Sequence, residues 1–249
     1  MAELFHDVKA ELVSQQEVAP GIAIFHFKAE KKIPFTAGQY LQICLPEETT
    51  DCRRPYSLSS PPSMMPEFEF LIRRVQGGEF TPKLFNLKPG EKISFMGPIG
   101  NFTFDKNDKR DAIFLVTGTG LAPVIGMLKD LEEDDPVKDR KIKLIVGVRF
   151  PSDLGYKEYL ADLKKRNPNF SFYLFVSDSE DLGGNEGDTG MFDRFSKEPE
   201  IAKKYFGQAS KDDTCVYLCG HPIAVKATSE YFENLGFKKM KDIKFERYW

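Results

Sequence analysis

Arg54, Pro55, Tyr56, Ser57, Leu58, Ser59 and Ser60 form one short run in a chain of 249 residues. A guanidinium can tether a phosphate, a tyrosine ring can lie on the face of a planar aromatic, and a serine hydroxyl can bond a nitrogen at a ring edge. These are the needs of an isoalloxazine ring with a phosphate tail, so the run could hold a flavin. In an extended strand residues i and i+2 share a face, which sets Arg54 beside Tyr56 and turns Ser57 away unless the strand bends. Taken alone, the same residues fit better as an ordinary strand with a surface arginine and a half-buried tyrosine.

Three glycine-bearing segments could also meet a ligand. Gly118-Thr119-Gly120-Leu121-Ala122-Pro123 follows an apolar run and opens a helix, where unpaired N–H groups and the helix dipole can receive a pyrophosphate. Pro123 stands where a G-x-G-x-x-G fingerprint has its third glycine, and such turns also serve plain chain reversal. Gly77-Gly78-Glu79-Phe80-Thr81 offers backbone amides and a hydroxyl to a phosphate, or simply a hairpin loop. Cys219-Gly220-His221-Pro222 ends another apolar run, where doubly wound sheets collect ligands. A cysteine at a strand end is more often core, and His221 reads best as a helix-start residue. The final Phe245-Glu246-Arg247-Tyr248-Trp249 either covers something flat or forms a last strand at a sheet edge.

The elements that must position these groups fall into two patterns. From residue 8 to about 104, short apolar segments at 22–27, 40–45, 56–58, 68–75 and 93–96 are separated by Pro20-Gly21, Pro61-Pro62, Gly77-Gly78 and Pro89-Gly90. That reads as a small antiparallel barrel of five or six strands. The charged stretch 105–110 has no apolar anchor and marks a boundary, giving domains 1–105 and 106–249. Beyond it strands at 112–117, 143–148, 170–177 and 215–219 alternate with helices from about 123, at 156–166 and at 222–235, the sign of a doubly wound parallel sheet. Val124, Met127, Leu128 and Leu131 make a buried helical stripe, and the Gly-rich acidic segment 178–190 reads as an exposed loop.

Bulk properties narrow the field. Lys+Arg 35 against Asp+Glu 38, a net charge of -3, gives no basic face and excludes a nucleic-acid role. Glu3, Asp7, Lys9 and Glu11 interrupt the N-terminus, and no run approaches the ~18 apolar residues of a membrane span, so a soluble, cytoplasmic protein is expected. Cys44, Cys52, Cys215 and Cys219 make no iron-sulfur or zinc spacing. In a strand, Cys215 and Cys219 stand roughly 13 Å apart, beyond disulfide reach, so free thiols and no metal are expected.

In order and spacing, R-P-Y-S-L-S-S, G-G-E-F-T, G-P-I-G-N-F at 97–102, G-T-G-L-A-P, C-G-H-P and the terminal F-E-R-Y-W resemble the ferredoxin:NADP reductase family, most like the bacterial ferredoxin or flavodoxin reductases. The resemblance covers nearly the whole chain. It implies a six-stranded antiparallel flavin barrel followed by an α/β nucleotide domain, with FAD bound and NADH or NADPH as cosubstrate. Arg54 would tether the flavin phosphate, Tyr56 pack on the isoalloxazine, Ser57 bond near N5, and Gly78 and Thr81 bind the pyrophosphate. Gly118, Thr119 and Gly120 would receive the nicotinamide dinucleotide, with Cys219 beside its ring. Ser57 and Glu246 would manage a proton, while Tyr248 and Trp249 would lie against the flavin and its adenine. The partner implied is a ferredoxin- or flavodoxin-like carrier.

The chain departs from the family where NADPH enzymes usually place Ser-Arg, for here Ser177-Asp178 stands, and a second expected arginine is Met191. A carboxylate repels a 2′-phosphate and accepts bonds from ribose hydroxyls, which favours NADH, although Arg149 keeps a family arginine. Within the fold, a reductase component of an oxygenase or a free-flavin reductase is the alternative. From another class comes a non-catalytic flavin-binding relay or regulatory subunit. Lys238, Lys239, Lys241 and Lys244 suit a solvated turn better than a docking patch for an acidic carrier.

Overall fold

The computed structural model describes residues 4–46, 53–134 and 140–248. Two compact units emerge: residues 1–104 with 122–134, and residues 105–121 with 135–249.

The first unit is built on β1 (Phe5–Ala19), β2 (Ile22–Ala29), β3 (Tyr40–Cys44), β4 (Arg54–Ser57), β5 (Glu67–Arg73) and β6 (Lys92–Ile99). They form one antiparallel sheet in the order β4-β3-β6-β1-β2-β5. Its two edges meet immediately after β4, where Leu58 bridges Phe70 and Ser59 N donates to Glu69 O at 2.8 Å. Closure removes the open edges that an antiparallel sheet would otherwise expose. Inside, Phe25, Phe27, Phe68, Phe70 and Phe95 are fully buried, with ring centroids 5.3–6.3 Å apart around Phe68 and Phe27. Burial of each such ring contributes about 1.5–3 kcal/mol.

Helix α1 (Phe80–Asn86) follows the Gly77-Gly78 turn and inserts Phe80 and Leu84 into the core. Helix α2 (Leu121–Asp134) buries Val124, Met127, Leu128 and Leu131, the expected stripe. From Ala122 onward it belongs to the first unit: Gly126 lies so close to β4's exit that a Cβ there would stand 2.8 Å from Leu58 O. Lys129 adds an ion pair to Glu69 at 2.7 Å.

The second unit carries β7 (Asp111–Thr117), β8 (Ile142–Val148), β9 (Phe170–Val176), β10 (Gly187–Thr189), β11 (Thr214–Gly220) and β12 (Ile243–Arg247). All pairs are parallel, in the order β10-β9-β8-β7-β11-β12. The chain starts in the middle, winds outward through β8 to β10, then returns to the other side of β7, so the order reverses between β7 and β11. Helices α3 (Lys157–Arg166), α4 (Arg194–Lys197), α5 (Pro199–Phe206) and α6 (Pro222–Asn234) complete the unit. Every residue of β11 is buried, as a central parallel strand requires.

The 105–110 stretch is anchored rather than loose. Arg110 donates to Asp108 and, at 2.8 Å, to Asp242, while Arg140 is buried and donates to the carbonyls of Asp105, Lys106 and Asp108. Among the described residues no helix is long and apolar enough to cross a membrane.

Candidate functional site

In the first unit the structure joins two of the motifs. Tyr56 stacks on Phe80, with centroids 5.9 Å apart and planes 25° from parallel, and it also touches Phe70. The R-P-Y-S strand and the G-G-E-F-T turn therefore meet through one ring pair. Burial holds the Tyr56 phenol well above its usual range, and the nearby Arg54 charge only partly opposes this. The ring is thus a neutral phenol at physiological pH. Arg54 is exposed, donates to Arg53 O at 3.1 Å, and has no carboxylate in ion-pair reach among the described residues. Ser57 is buried opposite Tyr40.

The glycine turn is held from both sides. Gly78 N donates to Val75 O at 3.1 Å, and buried Thr81 Oγ1 accepts from Val75 N at 2.8 Å. Gly77, at φ +71°, supplies the left-handed residue that the turn needs. Thr81 keeps its hydroxyl proton out of that bond, whereas the Gly78 amide is already engaged. Beside this turn a groove of about 610 Å³ is lined by Arg74, Gln76, Pro82 and Phe85 together with Gly77 and Gly78.

In the second unit Gly118-Thr119-Gly120 ends β7 and Cys219-Gly220-His221 ends β11, so both stand at the point where strand order reverses. Their backbones touch: a Cβ on Gly120 would lie 2.6 Å from Cys219 O. Only a residue without a side chain fits there. His221 caps α6, its Nδ1 accepting from Ile223 N at 3.3 Å, and its own N–H donates to Thr117 Oγ1 at 2.7 Å.

Beside β11, Glu246 of β12 stands in register with Cys219, and Tyr248 N donates to Gly220 O at 2.9 Å. Burial pushes the Cys219 thiol far above its usual value; the Glu246 charge pushes the same way, and a bond from the Tyr248 side chain opposes both only weakly. Cys219, Glu246 and Tyr248 thus form one cluster around a neutral, polarisable thiol. Trp249 and Cys52 lie outside the described residues.

Arg149, Ser177 and Asp178 come together just past the ends of the neighbouring strands β8 and β9, where Asp178 N donates to Arg149 O at 2.9 Å. Ser177 Oγ donates to Asp178 Oδ1 at 2.9 Å, and the exposed Arg149 Nε lies 3.6 Å from the buried Asp153. Met191 follows β10 and is 65% exposed, so no charge is offered there. The sequence reading passed over Thr117, whose only signal was a hydroxyl at the last strand position before Gly118. It also passed over Arg194, which binds Asp188, Glu198 and Thr189 O and so braces β10 to α4.

A closed antiparallel barrel with this arginine-tyrosine-serine strand, followed by a parallel sheet with glycine turns at its switch point, defines a flavin- and nicotinamide-nucleotide-binding oxidoreductase. Residues 9–104 match the oxidoreductase FAD-binding domain and residues 114–230 the oxidoreductase NAD-binding domain. The chain belongs to the ferredoxin:NADP reductase family.

It is 31% identical over 222 residues to the reductase component DmpP of phenol 2-monooxygenase from Pseudomonas sp. (strain CF600), covering 89% of this chain and 60% of that one. Ferredoxin–NADP reductase B of Sorangium cellulosum (strain So ce56) is 27% identical, with 96% and 97% of the two chains aligned. The structure superposes on the Amycolatopsis cytochrome P450 reductase GcoB with a TM-score of 0.83 at 26% identity, over 99% of this chain and 71% of that one.

Proposed function

We propose that the protein oxidises NADH in preference to NADPH and passes the electrons through FAD to a one-electron carrier of the ferredoxin or flavodoxin kind. The observation that carries this is the gathering of Gly118–Gly120, Cys219 and Glu246 at the switch point, in a chain whose other unit stacks Tyr56, on the same strand as Arg54, against Phe80 beside Thr81. The flavin, when bound, supplies hydride acceptance and the release of electrons one at a time.

The first unit's residues fit that group. Arg54 offers a phosphate a cation that meets no carboxylate among the described residues, Tyr56 a neutral ring for an aromatic face, and Thr81 a hydroxyl proton for the pyrophosphate, with Gly78 keeping the turn low. Ser57 sits where the strand leaves for the barrel closure and can bond a ring nitrogen.

In the second unit, Gly118, Thr119 and Gly120 bind the dinucleotide phosphates and Cys219 packs beside the nicotinamide as an uncharged atom. Glu246 sets a carboxylate in register with Cys219 at that end of the sheet, and Tyr248 shields the same end of β11 from water. Arg149, Ser177 and Asp178 take the adenosine half. Asp178 accepts from ribose hydroxyls and repels a 2′-phosphate.

A reductase component of an oxygenase is the second reading, favoured by the likeness to the phenol 2-monooxygenase and cytochrome P450 reductases. The protein is mixed anaerobically with NADH or NADPH while the flavin absorbance is followed. Fast bleaching by NADH supports the function, while a colourless protein or an unreduced flavin refutes it. Transfer onward to ferredoxin or flavodoxin rather than to a hydroxylase protein separates the two readings.

A further inference from the structure

Strands β7 and β11 pair from Thr214 beside Asp111 to Cys219 beside Val116, and there the ladder ends. Beyond it the two strands leave for different helices, and His221 N, two residues past the last paired position, meets a side chain instead of a ladder carbonyl. The Thr117 hydroxyl replaces that carbonyl, accepting from His221 N at 2.7 Å. Gly220 makes this possible: its φ is +123°, and a Cβ there would stand 2.2 Å from Thr117 Oγ1. The bonded turn carries more than His221. Gly220 O accepts from Tyr248 N, Cys219 pairs with Glu246, and Gly120 packs on Cys219 O.

We propose that Thr117 is a positioning residue for hydride transfer, its hydroxyl fixing the Cys219–His221 turn, and through it Tyr248, at the depth the nicotinamide ring requires. This rests on the nicotinamide site proposed at that turn. Thr117 acts through the turn, so its loss lowers the rate of transfer more than the affinity for the nucleotide. Hydride transfer is steep in donor–acceptor placement, and a misplacement near 1 Å can cost about a hundredfold in rate.

The test uses the full, FAD-loaded chain with Thr117→Val, which keeps the shape and removes the hydroxyl, and Thr117→Ser, which keeps the hydroxyl. Thr117→Val is expected to retain its flavin, to slow bleaching at saturating nucleotide about tenfold and to change the nucleotide's Kd less than about threefold, while Thr117→Ser stays within about twofold of the unaltered rate. A Thr117→Val rate within twofold of the unaltered protein, or a Thr117→Ser rate as slow as that of Thr117→Val, overturns the proposal.

Hydrogen exchange on the unaltered protein reads the bond even if Thr117→Val fails to fold. His221 is exposed, yet its amide should exchange about a hundredfold more slowly than in a free peptide. Exchange at the free-peptide rate overturns the clasp. If the unaltered protein binds flavin but neither NADH nor NADPH bleaches it, the proposed function falls and the role of Thr117 with it; an unaffected Thr117→Val removes that role alone.

Discussion

In the proposed function, single side chains set which nucleotide and which chemistry the site accepts. Asp178 is exposed two residues past the end of β9 and its carboxylate accepts from Ser177, a geometry suited to ribose hydroxyls. A like charge facing a 2′-phosphate costs on the order of 1–2 kcal/mol in a partly solvated site. Asp178→Ser should therefore raise kcat/KM for NADPH about tenfold and lower it for NADH, read from initial rates with each coenzyme. An unchanged ratio would remove Asp178 from the adenosine site. Cys219 makes an opposite kind of prediction. Its thiol is pushed upward by burial first, so it stays protonated through neutral pH and is poorly reactive. Iodoacetamide at about pH 8 should leave the Cys219 peptide unmodified in the native protein and label it only after denaturation. Native labelling seen by mass spectrometry would mean an open, ionised thiol.

At the scale of elements, helix α2 shows how a turn motif and a packing motif share one segment. Gly126→Ala would gain about 1 kcal/mol of helix propensity. It would also drive a Cβ to 2.8 Å from Leu58 O and 3.1 Å from Ser60 O, backbone atoms that cannot swing aside. Overpacking of that kind costs about 1–3 kcal/mol, so net destabilisation is expected, seen as a lower urea midpoint with an unchanged slope. The α2 stripe was legible because its apolar period is clean and its start is marked by Gly120 and Pro123.

Strand β1 was not legible as a strand, although Val8, Ala10 and Leu12 alternate inward. Register shifts at Leu12/Ser14 and Glu17/Ala19 break its period, and Ser14-Gln15-Gln16-Glu17 has weak strand preference. Helix α1 was hidden behind Gly77-Gly78, which read as a hairpin. β10 is only three residues long inside an acidic, glycine-rich stretch. At the site, types and order could be read from the sequence, but pairings such as Tyr56 with Phe80 could not, because residues far apart in sequence meet only after the barrel closes.

Across the whole molecule, buried titratable groups set how stability varies with pH. Tyr56, Tyr217, Cys215 and Cys219 are all shifted upward, with burial the largest cause, from usual values of 10.0 for the phenols and 9.0 for the thiols. A folded-state value above the unfolded one means that the unfolded chain sheds its proton first as pH rises. The stability these groups lend is thus complete below their unfolded values and is lost progressively above pH 9.0 for the thiols and above 10.0 for the phenols.

On the acid side Asp108 moves the other way, bonding to Arg110 holding its carboxyl below the usual 3.8. Its contribution is present above that value and disappears as pH falls through the depressed one. Thermal melts should therefore show a plateau from about pH 5 to pH 8 with a fall on each side. Cys215 offers a clean check on the alkaline limb, because it lies in the core of β11 with no role at the nucleotide turn. Cys215→Ala removes one buried acid, so its melting temperature should fall less between about pH 8 and pH 10 than that of the unaltered protein, even if it starts lower. Parallel declines in the two proteins would show that the Cys215 thiol does not govern the alkaline loss.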